Sequence, residues 1–509
     1  MEQNAQNNYK SKFGQKLDNL FEISARKSTI STEIIAGLTT FFAMCYIVLV
    51  NPDQVAAGGA GGWLAGIFAP FAGELGAIWN AVFIGSIISA AIGTLLMAFL
   101  AKMPFAQACG MGLNSFFCTC FVSGAAFGGA TPTAGYQAGL VIILLSGILF
   151  LVLSVTGARE YIAKALPDCL KKAIPAGIGL FIAFIGFKNS GIVVADRWTF
   201  VGLVDLRNWA YAAPALAAFL GLIAIVVLSA FKNSANKVMK VLSKGAVILG
   251  ILISTILYYI FTATTPNFDN ASSIGQAFSD FWNVGVMGIF NGESWANAFS
   301  AEFIGGIFSA ITLVITFSLV DMFDTVGTLY GTAAQADMLD ENGDPINMNK
   351  SMLCDSIATC TGAVLGTSTV TTFVESSSGV AAGGRTGFAS VITALCFLVC
   401  LFLSPVATII PTVCTAPALI YVGVLMLSNF AKVDMSDITA AVPAFLTLIM
   451  MPLTYSIANG IGVGAIAYTL IKLFTGKFTK KDIVVAVIAA IFVARFALTF
   501  MGTYPVYAN

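Results

Sequence analysis

The chain has 509 residues, 58% of them hydrophobic and only 10% charged, and its 25 basic and 25 acidic side chains balance to zero. Soluble domains hold about 45–50% apolar and about 25% charged residues, so a water-soluble fold is excluded. With no net charge and no basic stripe, a nucleic-acid partner is excluded too.

Residues 1–31 are polar and carry Lys10, Lys12, Lys16, Arg26 and Lys27. They contain no short apolar run with a small-residue cleavage site, so we expect a cytoplasmic N-terminal segment and no cleaved signal peptide. Beyond it, apolar runs close to the roughly 20 residues that cross a bilayer recur to the end of the chain. Hydropathy and helix breakers place them near 32–50, 81–101, 104–122, 134–156, 173–190, 208–231, 245–263, 300–330, 353–366, 368–385, 387–409, 413–431, 437–454, 456–474 and 482–501. The last three crowd together, which leaves 14 spans if one of them folds back or lies in the membrane interface.

Lys and Arg concentrate in alternate connections. The N-terminus, Arg159/Lys164/Lys171/Lys172 and Lys232/Lys237/Lys240/Lys244 fall on one side, whereas 51–80 and 264–300 have neither residue. The bias puts the N-terminus in the cytoplasm; Arg197 and Arg207 oppose it, partly balanced by Asp196 and Asp205. The 10 cysteines fall almost wholly within apolar runs and read as packing thiols.

An inverted repeat is expected. Ala212-Ala213-Pro214-Ala215-Leu216 in the sixth segment echoes Ala441-Val442-Pro443-Ala444-Phe445 in the thirteenth, and the third and tenth segments are both polar and interrupted. The fold class is therefore an all-α membrane protein of about 14 segments in a seven-plus-seven repeat, with segments 3 and 10 broken.

The third segment reads Gln107-Ala108-Cys109-Gly110-Met111-Gly112-Leu113-Asn114-Ser115-Phe116-Phe117. Unpaired backbone is tolerated at membrane depth only beside a protein-enclosed cavity, so Gly112, Asn114 and Phe116 are candidate ligand contacts. Close helix packing at the glycines is the alternative. The tenth segment, Gly366-Thr367-Ser368-Thr369-Val370-Thr371-Thr372-Phe373-Val374-Glu375-Ser376, suits an extended stretch that feeds a helix N-terminus. Glu375 lies mid-membrane, where a charge is costly enough to mark function. In the eighth segment Asp321 and Asp324 stand three apart, with Thr328 one turn on, and one of the two carboxylates should share the cavity of Glu375.

The chain has no histidine. Proton coupling, if present, must then use a carboxylate, Asp324 or Glu375 first and Asp321 second, while sodium would use the same oxygens. Asp340-Glu341-Asn342-Gly343-Asp344-Pro345 lacks a full calcium-ligand set and reads as a solvated turn. Asn270-Ala271-Ser272 is a short glycosylation sequon of little weight. There is no zinc-type cluster, metal or cofactor to expect, and no nucleophile set, so an enzyme is not supported.

Taken with Lys27-Ser28-Thr29, Gly37-Leu38-Thr39-Thr40-Phe41 and Asn51-Pro52, the motifs Gly110–Asn114, Asp321–Thr328, Thr369–Ser376 and Gly383-Gly384-Arg385-Thr386-Gly387 resemble the AzgA-like purine permeases of the nucleobase:cation symporter-2 superfamily. The resemblance runs from about residue 20 to the C-terminus. It implies core-domain halves at 32–156 and 300–409 and gate-domain halves at 173–263 and 413–501. It also implies proton-coupled uptake of adenine, guanine or hypoxanthine across the cytoplasmic membrane by a homodimer. Matched position by position, it makes Asn114, an acidic residue of the eighth span and Glu375 substrate-binding, with Asp324 in the superfamily's acidic position. Thr328 stands where some uracil carriers have His, and Phe373 matches an aromatic that stacks on the base. Gly112, Thr372 and Ser376 complete the expected site. A xanthine or pyrimidine carrier is the alternative; an anion carrier of the same architecture fits less well, because two carboxylates would repel its substrate.

Overall fold

A computed structural model describes residues 12–56, 69–127, 130–157, 167–196, 198–231, 234, 236–265, 273–300, 306–335, 338–341, 345–403 and 409–500. Lys10, Arg159, Lys164, Arg197, Lys232, the 270–272 sequon and 342–344 of the acidic turn lie outside the described residues.

A short helix α1 (Lys12–Phe21) precedes the first span, which is α2 (Ile30–Met44) continued by α3 (Ile47–Val55). Thr29 caps α2 by accepting from the Thr32 N–H at 3.2 Å. The second span, α4 (Ala72–Leu96), leads to the strand β1 (Gln107–Cys109) and helix α5 (Met111–Phe117) of the third. The fourth is α6 (Pro132–Val155), started by Thr131 as cap and Pro132 in the first turn, and the fifth is α7 (Asp168–Asn189). A hairpin of β2 (Val193–Asp196) and β3 (Phe200–Leu203) joins it to α8 (Trp209–Ala230). The amphipathic α9 (Lys237–Lys244) and span α10 (Ala246–Thr262) close the first half.

In the second half, α11 (Ile274–Asp280) and α12 (Gly292–Phe299) occupy what hydropathy reads as a loop. Spans α13 (Ile307–Gln335) and α14 (Met348–Val364) follow, then β4 (Val370–Thr372) with the six-residue helix α15 (Ser376–Ala381), and α16 (Gly387–Val399). The chain ends in α17 (Thr412–Leu427), α18 (Ile438–Leu453), α19 (Ile457–Phe474) and α20 (Ile483–Phe500). Among the described residues, eight helices are long and apolar enough to cross a membrane, and shorter apolar helices and the broken segments supply the rest.

The repeat is written in the packing. Spans α2 and α4 pack on α16, and with the halves exchanged α13 and α14 pack on α6; α8 packs on α17, and α18 on α7. Among the described residues the paired part of each half comprises seven segments, an odd number, so equivalent elements cross the membrane in opposite directions. On this pairing α19 corresponds to α10, and α20 is an addition outside the repeat that packs along α19. The crowded C-terminal stretch thus forms three separate helices, with α18 and α19 an antiparallel pair.

The broken segments meet at the centre. Strands β1 and β4 pair antiparallel, Gln107 opposite Thr372 and Cys109 opposite Val370. Around them Gly110 N–H donates to the Thr369 carbonyl at 3.0 Å and Phe373 N–H to that of Ala106 at 3.0 Å. Hydrocarbon offers no partner to exposed backbone, so two interrupted spans can exist only by satisfying one another. Arg385 donates to the carbonyls of Val380 and Gly384 at 2.8 and 2.7 Å, closing the C-terminal end of α15. The buried Glu33 carboxylate of α2 accepts from the Arg385 and Thr386 N–H groups at 2.9 and 3.3 Å, just before α16. All 10 cysteines are free thiols.

Candidate functional site

The crossing of β1 and β4 forms one wall of a cavity of about 830 Å³, within the about 300–1,000 Å³ common for small-molecule sites. This wall presents Gly110, Gly112, Asp324, Thr328, Thr372, Phe373 and Glu375. Pro175, Ile178 and Ile182 of α7 with Tyr421, Val422 and Met426 of α17 make the apolar wall opposite. The cavity extends to Ser229, Lys244 and Lys432, at the ends of α8, α9 and α17. Lys244 there donates to the Thr39 hydroxyl of α2 at 3.0 Å.

Two carboxylates reach this space. Asp324 and Thr328 lie one turn apart on α13, so both face it. Among the described residues no ion pair joins Asp324 or Glu375 to a cation; Arg385 is engaged with carbonyls instead. Glu375 sits at the N-terminal boundary of α15, yet its side chain makes no capping bond. Its Oε1 accepts from the Tyr46 hydroxyl of the first span at 2.7 Å. Phe373 is 5% exposed and contributes an aromatic surface to the same wall.

Four expected site residues lie elsewhere. Asn114 is fully buried and does not line the cavity: its amide donates to the Asn51 and Gln54 side-chain oxygens, and its Oδ1 accepts from Ser368. Two positions on from Gly112 is roughly 200° around a helix, which turns Asn114 to the far side of α5. Phe116 packs on Phe317 of α13 with ring centroids 5.0 Å apart. Ser376 accepts from the Ala106 N–H at 3.0 Å, tying α15 to the approach of β1. Asp321 is buried and accepts from Thr359 of α14 at 2.9 Å, so of the two aspartates it is Asp324 that faces the cavity.

Gly112 serves both readings of its segment. It lines the cavity, and a Cβ there would lie 2.5 Å from Cγ2 of Ile178, so α5 and α7 can approach only with glycine at this position.

Sequence reasoning missed a carboxylate. Asp355 of α14 is fully buried directly behind the wall, accepting from Gln107 and Thr325 and from Thr372 at 2.9 Å. The expected span begins at 353, where an acid reads as interfacial; α14 begins at Met348, which carries Asp355 two turns into the membrane. Asp53 and Asn51 were missed for a like reason, because the first span runs to Val55 rather than 50; Tyr46 lay inside the expected span, and only its contact with Glu375 marks it.

A central crossing of two half-broken spans beside a cavity with carboxylates on one wall defines a membrane carrier of the inverted-repeat class. The chain belongs to the Permease family (Xan_ur_permease), whose match covers residues 31–463. It is 36% identical to the adenine permease AdeQ of Escherichia coli (strain K12), over 95% of this chain and 96% of that one. It is also 36% identical to the guanine/hypoxanthine permease PbuG of Bacillus subtilis (strain 168), over 94% and 98%. The transmembrane domain of the cyanobacterial bicarbonate transporter BicA shares the fold, with a TM-score of 0.50 at 14% identity over 89% of this chain and 96% of that one. The protein is thus a multi-pass membrane permease and not an enzyme.

Proposed function

We propose that this permease imports purine nucleobases, adenine, guanine or hypoxanthine, together with protons. The observation that carries the reading is the cavity wall on which Phe373, Asp324 and Glu375 stand together. A purine is a flat π-system with a donor and acceptor edge: an aromatic face contributes about 1–3 kcal/mol of stacking, and carboxylates accept from ring N–H or exocyclic amino groups. Two acids without a cation between them disfavour an anion and favour a neutral base travelling with a cation. Relatives named for adenine and for guanine/hypoxanthine support the substrate class.

In this reading the bundle of residues 32–156 and 300–409 is a core that carries the site, and 173–263 with 413–501 is a gate against which it slides. The cavity reaches the ends of α8, α9 and α17, on the lysine-rich side, which the positive-inside rule makes cytoplasmic. The conformation is then inward-open, and a homodimer would hold the gate still. Uptake of labelled hypoxanthine into cells lacking their own carriers, competed with each base and repeated with a protonophore, tests the proposal. Competition by purines and loss of uptake in Glu375→Ala are expected; no purine competing would overturn the substrate, and protonophore insensitivity at fixed sodium the coupling ion.

A further inference from the structure

We infer that Tyr46 is a positioning residue that sets which oxygen of Glu375 meets the substrate, and thereby the preference of the site for the hydrogen-bonding edge of the base. The inference rests on the nucleobase reading of the cavity for its substrate, but not for its geometry.

Tyr46 stands between α2 and α3 in the first span, and Glu375 stands 329 positions later at the start of α15. The tyrosine is 0% exposed and does not line the cavity, so it has no route to the substrate except through Glu375. Its hydroxyl donates to Oε1 at 2.7 Å, a well-formed length for an O–H donor. A phenol has one proton to give, and here Oε1 takes it. Oε2 is left as the oxygen that answers to the cavity, as an acceptor when Glu375 is ionised and as a donor when it is protonated.

Glutamate is otherwise a poor positioning group. It turns about three side-chain bonds, and α15 supplies no capping bond to hold it. A carboxylate free to rotate must be ordered by the substrate, at a cost in affinity, and presents either oxygen to either edge of the base. One held through Oε1 is already ordered and offers one directed oxygen. Tyr46 is fully buried within the main hydrophobic cluster, so its ring is held by packing and can act as the reference for the carboxylate.

Tyr46→Phe keeps the ring and removes only the hydroxyl. We expect the KM for the preferred base to rise about tenfold, the scale of one hydrogen bond, with Vmax within about twofold of wild type at equal protein in the membrane. Discrimination between a base and its analogue lacking the exocyclic amino or oxo group should narrow in step. In a double-mutant cycle with Glu375→Leu, which removes the acceptor, the effects on base binding should be non-additive, as the two changes act through one contact. A substrate-independent reading comes from infrared difference spectra of purified protein, with the Glu375 band assigned through Glu375→Gln: that band should move in Tyr46→Phe. If the wild-type chain carries no purine, the substrate reading falls and the band shift alone decides the Tyr46 assignment. An unmoved band, wild-type KM and base preference in Tyr46→Phe, or additivity with Glu375→Leu would overturn the inference.

Discussion

The Asp53 carboxylate of α3 accepts a hydrogen bond of 3.0 Å from Thr415 of α17, while its other oxygen accepts from the Trp79 indole at 2.8 Å. It thus bonds an element that packs with the α4 group to one that packs with α7, across the seam where the two groups meet. Thr415→Val removes the hydroxyl with little change of shape and leaves a buried carboxylate oxygen short of a partner, at about 1–3 kcal/mol. A lower melting temperature in detergent, with Trp79→Phe adding less than its single effect, is the expected result.

Gly112 faces Ile178 across the same seam with no room for a methyl group. Gly112→Ala should accumulate in the membrane near wild-type levels and transport at less than about a tenth of the wild-type rate, since overpacking of about 1–3 kcal/mol falls on a contact that the proposed sliding would have to cross. Ile178→Ala in the same chain should restore part of the rate, measured as initial uptake per molecule.

Phe373 and Asn114 should separate cleanly. Phe373 is buried, so Phe373→Leu, which loses the ring but keeps most of the packed volume, is the fitting change: it removes about 1–3 kcal/mol of stacking and should raise the KM by about 5-fold to 150-fold with a smaller loss of stability than Phe373→Ala. Asn114→Ala breaks bonds to Asn51, Gln54 and Ser368 and should cost stability first. Radioligand binding and melting temperature on the same preparations check the split; an Asn114 variant with unchanged stability and lost binding would return that residue to the substrate.

Asp355 accepts from four side chains of three segments, Gln107, Thr325, Thr371 and Thr372, and Asp355→Ala would remove the acceptor they share. Breaking such a network costs about 3 kcal/mol or more, so we expect poor accumulation and early aggregation on size exclusion, with Asp355→Asn intermediate.

At the protein surface, the Lys102 ammonium donates to Glu22 at 2.5 Å and holds the Glu22 carboxyl below its usual range. A carboxyl depressed in the folded state contributes stability above its unfolded value and loses it as pH falls through the folded one. The contribution is small because Glu22 is 46% exposed. Limited proteolysis after α1 should quicken modestly on acidification below the usual carboxyl range, and the acid step should vanish in Lys102→Ala.

Part of the site was legible because burying charge in a membrane is so costly that few residues do it without cause. Asp324 and Glu375 stood out on that ground, and the glycine and threonine breaks at 107–117 and 366–376 marked the segments that cross. Asp355 and Asp53 are more deeply buried still, but each fell within a few residues of an assumed span end, where an acid costs little and carries no message. Asn114 was misplaced because a polar residue in a broken segment looks the same whether it meets a ligand or another segment.

The sequence alone determined that the chain lives in a membrane, that its halves repeat, and that two spans are interrupted, and it singled out their carboxylates as candidates, since hydropathy and the penalty for unpaired polar groups act on local stretches. Only the tertiary structure decided which way each side chain points. A rotation of two positions on α5 separates Gly112 at the cavity from Asn114 in the packing, and three on α13 separate Asp324 from Asp321. The Tyr46 bond to Glu375 joins residues more than 300 positions apart, a distance over which no local pattern carries information.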